Sequence, residues 1–314
     1  MTIAVVGEVL VDLVWPMGSD RIVPHPGGSP ATVAIGLHRL ERQVTLLSCW
    51  GDDPPGALID SYLAVAGVAV HRLPSASRRS TIAHAYLDPS TGSATYDFLA
   101  AWDPIEISVP ADTTLLHTGS LAAVVEPGAT PILKTCRALR NRPGCAVSVD
   151  LNVRPAALPD RETYRAQIER LTREADIVKA SDEDLAWLYP GLDPEDAARA
   201  LLTLGPKLVV LTRGSDGASA LTTEHQVSLP APKVQVADTI GAGDAFQATL
   251  LDALVQPDAG IHIPTTAAEL TSILRRCITA GAIACTRHGA RPPTREEINV
   301  AIRTSPRPTS QSDR

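Results

Sequence analysis

Six short, largely apolar runs, at residues 3–7, 44–47, 114–117, 146–150, 176–179 and 208–212, recur along the chain, and segments with helical spacing lie between most of them. A brief apolar run without polar alternation is what a strand buried on both faces requires. Helix signals fall in the intervals. Ser29-Pro30 offers an N-cap followed by proline at the first helical position, ahead of Val33, Ile35, Leu37 and Leu40. Asp160 can cap a helix carrying Tyr164, Ile168 and Leu171. Thr266 with Glu269 resembles a capping box that opens a long helix through Leu270, Ile273, Leu274 and Ile278. Strands alternating with helices predict an α/β fold with a mostly parallel central sheet covered on both faces.

Two regions break the alternation. Residues 9–23 and 79–99 carry β-type patterning with no helix between their strands, and Asp88-Pro89-Ser90-Thr91-Gly92 reads as a turn. They predict a small second sheet attached to the core, placed to serve as a lid over a ligand. A single domain is expected over 1–303, followed by a polar, proline-containing tail at 304–314 that is expected to be disordered.

The totals exclude several functions. A formal net charge of −7 does not suit a broad phosphate-backbone surface, which needs clustered cations, so nucleic acid is not an expected partner. No basic n-region with an apolar h-region opens the chain, and no run approaches the ~18 apolar residues of a membrane helix. The five cysteines form no Cys-x-x-Cys pair and fit neither a zinc site nor a disulfide framework, so reduced thiols in a cytoplasmic protein are expected.

The stretch Gly241-Ala242-Gly243-Asp244 directly precedes an apolar helical run at 245–251. Glycines at a helix start let free N–H groups face an incoming group, and with the positive end of the helix dipole they make an anion site. A carboxylate beside an anion site repels a bound anion. It has a use if it accepts the proton of a hydroxyl attacking phosphorus. The plainer alternative for Asp244 is a first-turn acid favoured by the dipole.

Asp-Thr-Ile-Gly-Ala-Gly-Asp-Ala-Phe at 238–246 resembles the C-terminal signature of the ribokinase-like (PfkB) carbohydrate kinases, and Gly27-Gly28-Ser29-Pro30-Ala31-Thr32-Val33-Ala34 resembles their N-terminal one. Gly7-Glu-Val-Leu-Val-Asp12, Asp150-Leu-Asn-Val-Arg154-Pro155 and Leu211-Thr-Arg-Gly214 match in order and spacing. The resemblance spans about 3–298. It implies a ribokinase-like three-layer sandwich with a β lid, and ATP-dependent phosphorylation of a small sugar at a primary hydroxyl. Asp244 would be the general base, and Gly241, Ala242 and Gly243 the anion hole. Asp12, Gly27, Gly28, Thr32, Asn152 and Arg154 would meet the sugar, although the family usually has asparagine where Thr32 stands. Ser181, Asp184, Thr212, Arg213 and Gly214 would serve ATP and magnesium. Ser181 and Asp184 replace the usual Asn-x-x-Glu and equally resemble a capping box. Asp238 fits a monovalent-cation position, with potassium expected there.

The stretches at 116–121, 126–128 and 150–155 look most like bacterial fructokinases, so fructose 6-phosphate is the expected product, with ribose, 2-keto-3-deoxygluconate or a nucleoside as alternative acceptors. A homodimer joined through the lid is the expected assembly by analogy. A dinucleotide-dependent dehydrogenase is excluded because Gly7 is followed by Glu8-Val9-Leu10 rather than a glycine-rich turn. A P-loop kinase is excluded because Gly-x-x-x-x-Gly-Lys-Ser/Thr is absent. The rival of another class is a catalytically silent sugar-binding relative, suggested by Thr32, Ser181 and Asp184.

Overall fold

The computed structural model describes residues 2–88, 90, 94–256 and 260–304. Its strands are β1 (Thr2–Val6), β2 (Leu10–Pro16), β3 (Val23–Gly27), β4 (Val44–Ser48), β5 (Ala69–Arg72), β6 (Thr81–Leu87), β7 (Ala94–Leu99), β8 (Thr113–Gly119), β9 (Ala146–Asp150), β10 (Ile177–Ser181), β11 (Leu208–Thr212), β12 (Ala218–Leu221), β13 (Gln226–Leu229), β14 (Val255–Gln256) and β15 (Gly260–Ile261). The helices are α1 (Ser29–Arg39), α2 (Pro54–Ala66), α3 (Ala129–Arg140), α4 (Arg161–Thr172), α5 (Asp182–Leu188), α6 (Pro194–Thr203), α7 (Ala242–Leu254), α8 (Ala267–Cys285) and α9 (Arg295–Thr304).

The main sheet runs β13-β12-β11-β10-β9-β8-β1-β4-β5. Neighbours from β11 to β5 are parallel, and β12 and β13 fold back antiparallel. All six runs read as buried strands lie in it, within two residues of their expected ends at each terminus. Side chains alternate across a strand, so β1 serves two cores. Ile3 and Val5 pack with residues of α1, α2, α7, α8 and α9, whereas Ala4 and Val6 pack with α3, α4, α5 and α6. Burying a Val or Ile side chain contributes about 1.5–3 kcal/mol, which explains why these strands have no polar face.

A separate sheet, β3-β2-β6-β7, forms the lid. It extends beyond the expected segments to Gly27, because β3 pairs antiparallel with β2 from Leu10↔Gly27 to Val14↔Val23. Leu10 and Ala83 of the lid bury themselves against Leu121 of the body, which seats the lid on the C-terminal edge of the main sheet. The expected turn at 88–92 lies largely outside the described residues. Thr304, expected in the tail, ends α9, and 305–314 lie outside the described residues. No helix among the described residues is long and apolar enough to cross a membrane.

After β1 the chain adds β4 and β5 on one side, then returns to place β8 on the other. The C-terminal ends of β1 and β8 therefore flank a topological switch point, where open α/β sheets form a crevice. Helix α7 starts at this crevice and is gripped at its far end. Asp252, 2% exposed, accepts hydrogen bonds from Arg295 at 2.8 and 3.1 Å and from Arg42. Arg42 also donates to the carbonyls of Asp252 and Val255 at 2.8 and 3.0 Å, serving the last turn of α7. Removing one member of a buried ion network leaves the others uncompensated. Asp252→Ala should lower unfolding free energy by about 3 kcal/mol, visible in urea or thermal unfolding; an unchanged midpoint would show that the clamp carries no weight.

Candidate active site

Helix α7 begins without a side-chain cap. Its N-cap, Gly241, has φ +76, and a Cβ there would stand 2.8 Å from Ala290 Cβ, so conformation and space both demand glycine. By contrast α2, α4, α5, α6 and α8 are capped by Asp53, Asp160, Ser181, Asp193 and Thr266. First-turn amides have no intrahelical acceptor, and in α7 only Ala242 N–H finds a nearby carbonyl, that of Thr239 at 3.2 Å. Gly243 is exposed, and Gly241 and Ala242 are half-buried, so this turn opens onto the crevice.

Asp244 is half-buried in the same turn. Ser29 Oγ donates to its Oδ1 at 2.6 Å. Ser29 therefore does not cap α1, as the sequence suggested; Gly28 occupies that position, and the hydroxyl serves a residue of the opposite signature. Burial pushes the Asp244 carboxyl up to about 6. The Ser29 bond and the charges of Lys179 and Arg154 pull it down, while Asp150 adds to the rise.

Behind Gly243 lies a buried ion pair. Lys179 Nζ donates to both carboxylate oxygens of Asp150, at 2.9 and 2.7 Å, and the two residues are 4% and 2% exposed. The same nitrogen stands 3.8 Å from where a Cβ on Gly243 would be. In the next turn Gln247, fully buried, donates to Ser148 Oγ at 3.0 Å beside His117. Burial and the Lys179 charge push His117 down to about 3, so its imidazole is neutral.

Across the crevice, Gly27 and Gly28 close β3 and Asp12 lies on the paired strand β2. Gly28 has φ +110, and a Cβ would stand 2.8 Å from the Glu8 carbonyl oxygen. A Cβ on Gly27 would stand 3.5 Å from Asp12 Oδ2. Burial pushes Asp12 up to about 6, against the charges of Arg154 and His25. Asn152 has φ +37, and its amide donates to Ser120 Oγ at 3.0 Å. Arg154 is exposed, and its guanidinium favours the charged forms of Asp12, Asp244 and Glu8 alike. Thr32 is 2% exposed, and its hydroxyl donates to the Gly28 carbonyl at 3.1 Å rather than into the opening.

The remaining expected residues line the same sheet edge one and two strands further on. Ser181 and Asp184 form a complete capping box on α5, and the second carboxylate oxygen of Asp184 accepts Val153 N–H at 2.7 Å. Both oxygens of Asp184 thus hold backbone. Thr212 lies beside Ser181 in the β10–β11 register. Arg213 is paired with Glu195 of α6 at 3.3 Å, and Gly214 begins a short 3₁₀ turn. Asp238 bridges two loops by accepting Ile240 N–H at 3.0 Å and Gly289 N–H at 2.8 Å.

The sequence places Lys179 at the end of the apolar run 176–179 and Asp150 at the end of the run 146–150, but shows nothing of their pairing. It gave no part to Glu8 or Gln247, and it gave Ser29 a different one. A lysine inside an apolar strand run was the usable signal, because a buried lysine requires a carboxylate nearby. No local signal links Ser29 to Asp244, which lie 215 residues apart.

The chain was compared with known proteins. Residues 2–297 match the model of the pfkB family carbohydrate kinases. A fructokinase of Klebsiella pneumoniae is 35% identical over 295 residues, covering 91% of this chain and 94% of the relative. The structure of fructokinase from Xylella fastidiosa with bound ATP superposes with a TM-score of 0.83 at 26% identity, covering 96% of this chain and 98% of that one. A fructokinase double mutant from Vibrio cholerae O395, in fructose, ADP and potassium ion bound form, gives 0.80 at 26% identity, over 95% and 97% of the two chains. Matched by the family model and by fructokinase relatives and structures over nearly its whole length, this chain is a carbohydrate kinase that belongs to the PfkB family.

Proposed function

We propose that the protein transfers the γ-phosphoryl group of ATP to the primary hydroxyl of D-fructose, releasing fructose 6-phosphate and ADP. The observation that carries this reading is the uncapped first turn of α7 with Asp244 inside it. A carboxyl near 6 is ionised at neutral pH yet basic enough to take a proton from an attacking hydroxyl. The choice of fructose is supported by fructokinase relatives at 33% and 35% identity.

In this reading magnesium enters with ATP, as part of the nucleotide substrate. The γ-phosphoryl group lies against the amides of residues 241–243, where free N–H groups and the helix dipole favour negative charge. The Lys179–Asp150 ion pair, neutral overall, turns its ammonium toward Gly243 on the protein side. Asp12, Gly27, Gly28, Asn152 and Arg154 hold the sugar, and the Thr32 hydroxyl supports this wall by its bond to the Gly28 carbonyl. The hydroxyl oxygen bonds to phosphorus, the bond to the β-phosphate oxygen breaks, and the hydroxyl proton passes to Asp244. Closure of the lid excludes water and limits ATP hydrolysis. Thr212, Arg213 and Gly214 meet the nucleotide, for which Arg213 must leave Glu195. Ser181 and Asp184 act on that side by shaping the β10–α5 turn.

Asp238 fits a monovalent cation such as potassium: its carboxylate joins the loops of Ile240 and Gly289, and each of its oxygens keeps a lone pair beyond the one amide it accepts. A cation bound there would add positive charge behind the anion hole.

ADP release from MgATP should depend on fructose when a panel of fructose, ribose, 2-keto-3-deoxygluconate, glucose and adenosine is tested, and Asp244→Asn should fold normally while losing about 10²-fold or more in turnover. Sugar binding without turnover in the wild type would instead establish a silent relative. The pH profile gives an independent check. A base must be deprotonated, so kcat/KM for the acceptor should fall as pH drops through about 6. Ser29→Ala removes a bond that favours the carboxylate and should move this acid limb to higher pH; an unmoved limb would separate it from Asp244.

A further inference from the structure

Glu8 follows β1 at the switch point and is 2% exposed, yet none of the roles above uses its side chain. Its Oε2 accepts the Ala122 amide at 3.0 Å, which holds the 120–123 turn, and the nearby Ser120 hydroxyl favours the charged carboxyl. Ser120 Oγ in turn accepts the Asn152 side-chain amide at 3.0 Å. Glu8 thus holds the backbone of the short turn 120–123, and Ser120 at the start of that turn holds the Asn152 side chain. Together these bonds tie the ends of β1, β8 and β9.

Two of these residues are strained. Ser120 has φ +55 and Asn152 φ +37, conformations that cost a non-glycine residue about 1–2 kcal/mol each. Such conformations persist only where the surroundings over-determine them. The Glu8 bond to the Ala122 amide and the Asn152 bond to Ser120 supply that constraint, and Arg154 lies two residues beyond Asn152. The main chain of Glu8 bounds the opposite wall, since its carbonyl sits where a Cβ on Gly28 would go. One residue therefore borders both sides of the acceptor crevice without lying in it.

We propose that Glu8 is a positioning residue for the sugar: acting through the turn that carries Ser120, it locks the left-handed turn at Asn152 that presents Asn152 and Arg154 to the acceptor. This rests on the reading that these two residues meet the sugar. The buried carboxyl is pushed up to about 7 by desolvation, and its partners are an amide and a hydroxyl, so a neutral amide side chain should replace it well.

The test is steady-state kinetics on Glu8→Ala, Glu8→Gln and Ser120→Ala with each substrate varied in turn. Glu8→Ala should raise KM for the acceptor roughly tenfold, the scale of a buried polar group losing its partner, with KM for ATP unchanged and kcat within about threefold. Glu8→Gln should restore most of the loss. Ser120→Ala should reproduce the selective rise, and the double variant should be no worse than the poorer single one, because both changes break one chain of bonds. An unchanged acceptor KM in folded Glu8→Ala overturns the proposal, and so does an equal rise in both KM values or a defect that Gln does not rescue. If Glu8→Ala does not fold, an unchanged acceptor KM in Ser120→Ala overturns it alone. Variants and wild type are compared on whichever sugar the wild type phosphorylates, so an error in the choice of fructose appears in the wild type only.

Discussion

Two arginines, Arg42 and Arg295, grip the buried carboxylate of Asp252 at one end of α7, and the Gln247 amide is hydrogen-bonded to Ser148 in its second turn. These contacts determine where the first turn of the helix points, and the chemistry depends on that direction. Backbone amides stabilise a phosphoryl group only if they are already aimed when charge develops. Placing the anchors along the helix leaves the N-terminal turn free of side-chain caps while the helix itself stays fixed. Gly241 and Gly243 are then needed for different reasons. The first is a left-handed turn packed on Ala290, and the second is an exposed surface with Lys179 behind it.

Asp12 and Asp244 face the crevice and Glu8 is buried beside it, all three carboxyls raised by burial; Arg154 acts on each of them, and Lys179 lies buried behind Gly243. The sorting of charge follows from where each group is held. Asp150 neutralises Lys179 in the interior, so the lysine can sit under the first turn of α7 without an unpaired buried charge. Arg154 is exposed and has no fixed carboxylate partner among the described residues, which leaves its charge available to ligands on either side. An overall charge of −7 does not favour a nucleotide triphosphate, so the uncapped first turn of α7 and the exposed Arg154 are the local features that favour negative charge.

Much of this was legible in the chain. The six buried strands announced themselves as apolar runs because both of their faces are covered. The capping boxes at Ser181 and Thr266 were readable because capping is local. Other elements carried no such signal. β5 is exposed at all four positions and so shows no apolar pattern. β3 holds Pro24 and Pro26, which a central strand would not tolerate; it survives as the edge of the lid sheet. In the site, glycines and Asp244 were visible as a motif, whereas the Ser29–Asp244, Lys179–Asp150 and Glu8–Ser120–Asn152 contacts join residues far apart in sequence. Only the fold brings those groups within reach of one another.

The central claim is that Asp244 acts on the hydroxyl proton during transfer and contributes little to holding the sugar. Calorimetric titration of fructose into wild type and Asp244→Asn tests it directly. The account predicts dissociation constants within about twofold of each other, because only interactions gained in the transition state are lost. A loss of affinity as large as the loss of turnover would contradict it and make Asp244 a binding residue.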